Sequence, residues 1–121
     1  MAKLVHDDVL DGALNIIKDN VVTELVCATQ PTDRADALSK ALADVAVGSA
    51  DVTVANGDTN GRKATIAAKS GVLVDAAGTG DHIALIDGTR LLYVTTMTSQ
   101  VVAIGNLVNI PAWDIEIADP T

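Results

Sequence analysis

The chain has 121 residues and a formal net charge of −8, with 49% hydrophobic residues but only 2% aromatic residues and no Phe. This length is typical of one domain, and no long Pro-, Gly- or Ser-rich stretch divides the chain. We therefore expect a single domain over residues 1–121, with a helix-containing part (1–50) and an antiparallel β part (51–121). The acidic charge disfavours binding to phosphate backbones, so no nucleic-acid partner is expected.

Without large aromatic side chains, the core has to be built from Val, Ile, Leu and Ala. A domain of this size buries only roughly two thirds of its unfolded surface, and small side chains contribute less apolar area each. Burial between subunits would add stability. We therefore expect a homo-oligomer or another protein partner.

The sequence shows no membrane or redox signal. Residues 1–6 lack the basic start and apolar run of a signal peptide, and no run approaches the roughly 18 apolar residues of a membrane helix. We expect synthesis in the cytoplasm and no membrane partner. Cys27 is the single cysteine, and its apolar neighbours predict a buried, unreactive side chain.

The first predicted element is an amphipathic helix from Asp8 to Asp19. Asp7 or Asp8 can accept hydrogen bonds from its first turn, and Asn20 can end it. Its apolar face either covers the sheet of its own chain or lies against a neighbouring subunit. The residues at helical spacing on this face are Val9, Leu10, Ala13, Leu14 and Ile17. Four of them are candidate interface residues: Val9, Leu10, Leu14 and Ile17.

The β-branched run Val21–Ala28 predicts a strand, which Pro31 interrupts. Asp33, with Thr32, can then cap a second helix over residues 33–45. The rival interpretation is a loop with one short helix inside it, because the many Ala residues anchor a helix only weakly. Gly48 ends this segment. One face of the predicted helix would carry Ala35, Leu38, Leu42 and Val45.

Gly, Asn and Asp interrupt the remaining chain at strand-length intervals, a spacing typical of an antiparallel β-sandwich or a small barrel. The clearest hairpin has Asp87 and Gly88 at its turn, where we expect positive φ angles. The fold class is therefore mainly β with one or two short helices. The predicted strands are residues 51–55, 63–68, 72–76, 82–86, 91–96, 101–104, 107–110 and 114–117.

The histidines and the cysteine predict no catalytic or cofactor site. His6 and His82 lie far apart in the sequence, and Asp81 can orient His82, but a strand-end histidine beside a solvated aspartate explains the pair equally well. One Cys and two distant His do not supply the ligands of a zinc site. No acid, base and nucleophile converge in the pattern, so we do not expect an enzyme.

The segment from Asp51 to Gly61 is the one place where calcium ligands can be sought. Asp51, Asp58 and Asn60 offer hard oxygen ligands on a flexible stretch, as calcium requires. The segment lacks the spacing and the bidentate Glu of an EF-hand loop. A plain turn, in which Asn and Asp favour the turn geometry, explains it as well, and no metal site is predicted.

Trp113 is the single tryptophan, and Tyr93 is the only other aromatic residue. Two aromatic side chains offer little for bases to stack on, which again disfavours nucleic-acid binding. Trp113 follows Pro111 just before the last predicted strand. It either closes the end of the core, with its N–H bonded locally, or anchors an interface. We name Trp113 as a fifth candidate interface residue.

Three stretches carry a resemblance to known proteins: NGDTNGRKATIAAKSGV (56–72), HIALIDGTRLLYVTTMTSQ (82–100) and GNLVNIPAWDIEIADP (105–120), with a looser likeness in ALNIIKDN (13–20). They resemble a family of small structural proteins of tailed bacteriophages. The resemblance implies a virion component and, for so short a chain, a capsid decoration or cement protein. Such a protein binds the major capsid protein on the outside of the shell, often as a homotrimer. No functional residue carries over, because no catalytic or ligand motif defines the family.

Two alternatives stay open at this point. A thin core without catalytic groups also describes tail, head–tail connector and fibre proteins. A rival of a different class is a surface module that binds carbohydrate or calcium through loops at residues 56–61 and 98–106.

Overall fold

The computed structural model of the chain describes residues 3–120. Neither helix in this range is long and apolar enough to cross a membrane. The fold is mainly β, as the spacing of turn residues predicts. In chain order, the elements are helix α1 (Asp7–Asn20), strand β1 (Thr23–Cys27), helix α2 (Arg34–Lys40), strand β2 (Ala41–Ala46), a 3₁₀ turn (Ser49–Asp51), and strands β3 (Val52–Asn56), β4 (Arg62–Ile66), β5 (Lys69–Leu73), β6 (Gly78–Ile86), β7 (Leu91–Val102), β8 (Leu107–Ile110) and β9 (Trp113–Ile117).

The strands form three antiparallel sheets that pack together. The largest has the order β2-β1-β6-β7, the second β3-β4-β9, and the third is the ribbon β5-β8. They make a sandwich-like fold, and no closed barrel is present between residues 3 and 120. Strand β1 pairs with β6, so the predicted helix-containing and β parts share one sheet.

Three clusters of buried aliphatic side chains form the core. The first lies beneath α1 and includes Leu14, Val52, Ile66, Leu85 and Ile115. The second packs the four-stranded sheet against the ribbon β5-β8 and includes Val26, Ile83 and Val108. The third lies beside α2 and includes Leu25, Cys27, Ala37 and Ile86. Cys27 is fully buried, as predicted, and burial raises the pKa of its thiol to about 11.

Helix α1 covers the sheet of its own chain. Its apolar face packs against β3 and β4, and Asp11 on its flank accepts a hydrogen bond from Arg62 Nε at 2.8 Å. The predicted cap was wrong: the Nδ1 atom of His6 accepts the N–H of Asp8 at 3.0 Å, while Asp7 and Asp8 lie in the first turn. Their charges are still favourable there, at the positive end of the helix dipole.

The second predicted helix, residues 33–45, was wrong over its second half. Asp33 does cap a helix, accepting the N–H of Asp36 at 2.7 Å, but α2 ends at Lys40 and residues 41–46 form β2. Residues 41–46 form a strand because they pair with β1, whose edge would otherwise have unpaired backbone groups. The pairing also buries Leu42 in the second cluster. Long-range pairing here outweighs the intrinsic helix preference of alanine.

The predicted β6–β7 hairpin is present, but its turn is built differently. Within residues 3–120 positive φ angles occur only at Gly61, Gly71 and Gly105, so the positive φ expected at Asp87 and Gly88 was wrong. The buried carboxylate of Asp87 instead accepts the N–H groups of Thr89 and Arg90 and the Nε of Arg90. Strand β7 then continues to Val102, so the separate strand predicted at 101–104 and the loop predicted from residue 98 were also wrong.

The Asp87 turn predicts a specific loss of stability in acid. Hydrogen bonds from the Thr89 N–H and from Arg90 lower the pKa of Asp87 to about 2. Because this is below the unfolded value of about 3.9, the carboxylate stabilises the fold above pH 4, and the contribution is lost as pH falls towards 2. Asp87→Asn should therefore lower the melting temperature most above pH 5, and the difference should shrink towards pH 2. Thermal melts across this range measure it, with exposed Asp19→Asn as the control; a pH-independent difference would contradict the assignment.

The docking of α1 predicts a sharp contrast between two positions on one helix. Leu14 is 1% exposed and Val9 is 66% exposed. Leu14→Ala should lower the free energy of unfolding by about 2–5 kcal/mol, because it leaves a cavity in the first cluster. Val9→Ala should change it by less than about 0.5 kcal/mol. Urea unfolding measures both, and similar values for the two variants would show that the helix does not dock on its own sheet.

Candidate functional site

The structure divides the candidate interface residues of α1 into two groups. Leu10, Leu14 and Ile17 are buried against the sheet of the same chain. Of the four, only Val9 lies on the outer face of the helix, where Ile16, seven residues further on, is also exposed. Residues seven apart lie on the same side of a helix. Val9 and Ile16 therefore form an exposed apolar strip on α1.

Trp113 begins β9 and lies half-buried where the first and second core clusters meet. Its ring stacks on Tyr93, with ring centroids 5.9 Å apart and planes inclined by 29°. Its Nε1–H donates a hydrogen bond to Oε2 of Glu24 at 2.8 Å. Trp113 thus has the predicted position at the edge of the core. The partner of its N–H is not local, however, but 89 residues earlier in the chain.

Glu24 is a fully buried carboxyl group in the middle of β1. Its ladder neighbours are Val45 on β2 and Leu85 on β6. Oε2 accepts the bond from Trp113, while Oε1 has no hydrogen-bond partner in the described part of the chain. Sequence reasoning missed this residue. The available signal was the alternation of β1, which places Glu24 on the same face as the core residue Val26.

Burial is the main influence on the protonation of Glu24, because it disfavours the charged form and raises the pKa of the carboxyl group. The bond from Trp113 and the positive charge of Lys69 act in the opposite direction, and the negative charge of Asp51 adds to the rise. Lys69 and Asp51 are themselves paired at 2.9 Å. The net effect is a raised pKa for the carboxyl group beneath Trp113.

A groove of about 300 Å³ opens beside Trp113, between β7 and the chain from Asn109 to Asp114. It lies where β7 is irregular: three β7 residues (97–99) face a single β6 residue, Asp81. A bulge of this kind bends a strand and re-aims its side chains. The groove is lined by Ile83, Thr95, Thr96, Met97, Thr98, Gln100, Asn109, Ile110, Pro111, Trp113 and Asp114.

Four exposed aliphatic side chains lie on the ribbon β5-β8, at the end of β7 and in the turn between β7 and β8. Leu73 and Leu107 are opposite each other in the β5–β8 ladder, with Val101 at the end of β7 and Ile104 in the following turn. Their exposed fractions range from 55% to 81%. The turn is held to β5 by the N–H of Gly105, which donates to the carbonyl of Val74. We call these four residues the aliphatic tip.

The two histidines have separate surroundings. His6 caps α1, whereas His82 lies on β6 between Cys27 and Thr96 in the ladder. The Nδ1 atom of His82 is 2.7 Å from the Asp81 carboxylate. The structure therefore brings Asp81 and His82 together, as the sequence allows, but does not add His6 to them.

The three side chains considered for calcium each have another partner. Asp51 accepts the N–H of Gly48 at 2.9 Å, Asp58 pairs with Lys63, and the side-chain oxygen of Asn60 accepts the N–H of Asp119 at 3.0 Å. Residues 3–120 contain no group of three or more His, Cys, Asp or Glu side chains placed to hold a metal ion. These side chains hold turns together, which is the plainer of the two interpretations.

Comparison with known proteins adds no relative to this description. No family model, no curated protein and no solved structure matches the chain.

The buried carboxyl group predicts a pH-dependent effect of Glu24→Gln. Since the folded pKa of Glu24 is raised, its contribution to stability is most favourable below the unfolded value of about 4.3 and becomes worse as pH rises through the folded value. Glutamine stays neutral and still accepts the bond from Trp113. Glu24→Gln should thus melt at a higher temperature than the wild type at pH 8, and the gain should shrink towards pH 4.

Thermal melts at several pH values measure this gain. Glu116→Gln on β9 is the matched control, because Glu116 is exposed and glutamine can still accept the N–H of Asp58. The control should show no such pH-dependent gain. A gain for Glu24→Gln that is equal at pH 4 and pH 8 would contradict a raised pKa for Glu24.

Proposed function

We propose that this chain is a structural protein of a tailed-bacteriophage virion: a capsid decoration protein that binds the major capsid protein on the outer surface and stabilises the shell. The aliphatic tip is the observation that carries the proposal. Leu73, Val101, Ile104 and Leu107 are exposed and uncharged in a chain whose net charge is −8. Leu73 and Leu107 lie opposite each other in the β5–β8 ladder, and exposed apolar side chains that lie side by side are typical of an interaction site.

The apolar area of the aliphatic tip is small, so strong binding would require many copies of the contact. Full burial of an aliphatic side chain contributes about 1.5–3 kcal/mol, whereas association costs about 4–15 kcal/mol in lost freedom of motion. Four such side chains give one subunit only weak binding. Joining several subunits raises the effective concentration of each contact, so a multimer on a symmetric shell binds far more strongly.

The apolar strip on α1, formed by Val9 and Ile16, supports self-association, and a homotrimer is the form that the resemblance to phage decoration proteins implies. It lies on a different element from the aliphatic tip, so one subunit can use both surfaces at once. The acidic charge of each copy opposes trimer formation in dilute solution at low salt. The trimer is therefore expected to form mainly on the shell, where contacts with the major capsid protein offset this repulsion.

The mechanism is mechanical. Each subunit buries its tip across a joint between capsid proteins, and the apolar area removed from water opposes separation of the joint under the pressure of packaged DNA. A tail, connector or fibre protein would share the fold and the apolar tip, but it would be present in few copies per particle.

Copy number and particle stability test this proposal. Gel analysis of purified virions from the phage that encodes the chain should show it in amounts comparable to the major capsid protein. Particles without the chain should release DNA at a lower temperature, and added wild-type protein should restore the release temperature. Absence from the virion, or only a handful of copies, would exclude a decoration role.

The tip is tested by the triple variant Val101→Ser, Ile104→Ser, Leu107→Ser. These side chains are exposed, so the fold should be retained, with each change altering stability by only about 0.5 kcal/mol. Binding to particles that lack the chain should fall at least about tenfold, which corresponds to roughly 1.4 kcal/mol. Leu38→Ser is the control, because Leu38 is an exposed leucine on α2. Unchanged binding of the triple variant would show that the tip does not dock on the capsid.

A further inference from the structure

The groove beside Trp113 has a rigid aromatic wall. The ring is held on one side by Tyr93 and at its nitrogen by Glu24. A half-buried ring fixed by two partners loses little freedom when a ligand packs against it, so binding costs less entropy. The wall is also apolar at the surface, because the one polar atom of the ring points inward to Glu24.

The rest of the groove offers uncharged hydrogen-bonding groups. Thr98 and Gln100 are exposed on β7, and Asn109 is exposed on the facing wall. The side-chain oxygen of Asn109 accepts the N–H of Gly71 at 2.9 Å, which fixes the amide and leaves its N–H groups to donate. A pocket with one apolar wall and a few placed polar groups is the usual form of a small-molecule site.

The charges exclude several ligand classes. Among residues 3–120, no Lys or Arg lines the groove, and Asp114 is the one charged residue that does, in a chain of net charge −8. Phosphates and other anions are therefore disfavoured. A metal ion is disfavoured as well, because the two oxygens of Asp114 face Thr65 Oγ1 at 2.7 Å and Lys63 Nζ at 3.4 Å.

A polypeptide strand is a poorer occupant than a small polar molecule. Strand β7 is the edge of its sheet, and an extended peptide can add to such an edge. The groove, however, lies at the irregular stretch 97–99, where the β7 ladder is out of register. Strand addition needs a continuous ladder, and bulges are a known means of preventing it.

We propose that this groove binds a neutral saccharide, with a sugar ring against Trp113 and its hydroxyl groups bonded to Thr98, Gln100 and Asn109. A sugar ring has an apolar C–H face and a rim of hydroxyl groups, which matches an aromatic wall beside amides and hydroxyls. The volume of about 300 Å³ is at the lower end for small-molecule sites and suits a short saccharide. This proposal does not depend on the capsid role of the chain.

Trp113 is itself the reporter for the test, since it is the only tryptophan. The purified chain is titrated with glucose, galactose, N-acetylglucosamine, N-acetylgalactosamine, maltose and lactose while Trp113 emission is recorded. Glycerol at equal concentration controls for solvent effects, and glucuronate tests the charge argument. At least one neutral saccharide should give a saturable change, with glucuronate binding at least tenfold more weakly than glucose or not at all.

Variants at exposed positions locate the site without endangering the fold. Gln100→Ala and Asn109→Ala should each weaken binding by about three- to tenfold, the effect of losing one hydrogen bond. Ser99→Ala is the matched control: Ser99 is exposed on β7 between Thr98 and Gln100 but does not line the groove. Its affinity should equal that of the wild type.

Two results would overturn the proposal. One is the lack of a saturable Trp113 response to every neutral saccharide in the panel. The other is a response that Gln100→Ala and Asn109→Ala leave unchanged, which would place any bound sugar elsewhere on the molecule.

Discussion

The hydrogen bond between Trp113 and Glu24 connects the two larger sheets through the middle of the molecule. Trp113 belongs to the sheet β3-β4-β9 and Glu24 to the sheet β2-β1-β6-β7. Around this bond the core consists of aliphatic side chains in separate clusters. The indole and the side chain of Val45 both pack against the first and the second cluster, so the position of the indole contributes to the packing of the sheets against each other.

The acceptor of that bond also carries a cost. A buried carboxyl group with one oxygen unpartnered makes the folded state less stable than an apolar residue of the same volume would. In return, Glu24 fixes one orientation of the indole, which small aliphatic neighbours cannot do by shape alone. Buried polar groups serve such a specifying role in some proteins. Here the positive charge of Lys69 acts to lower the pKa of the Glu24 carboxyl group, and the negative charge of its partner Asp51 acts to raise it.

Much of the fold could be predicted from local patterns, and the largest errors come from long-range contacts. The helical spacing of Leu10, Leu14 and Ile17 was sufficient for α1, and the turn residues were sufficient for the β class. Residues 41–46 were misassigned because Leu42 and Val45 also fit a helical face, and only pairing with β1 makes them a strand. The contact between Glu24 and Trp113 could not be predicted from the sequence, because no local pattern identifies a partner 89 positions away. The candidate interface residues of α1 were ambiguous for the same reason: an apolar stripe does not state what covers it.

The surfaces that are available for binding are those that the small core does not use. The inward faces of the sheets and of α1 are needed for stability, so a partner can reach apolar groups only where the elements end or turn outward. The aliphatic tip lies at such an end, the strip of Val9 and Ile16 on the outside of a helix, and the groove at an irregular sheet edge. Of these three surfaces, only the groove is lined by residues of the core, among them Ile83, Ile110 and Trp113. A ligand that packs against Trp113 therefore contacts the group that holds the sheets together, so binding there stabilises the whole fold and not just one loop.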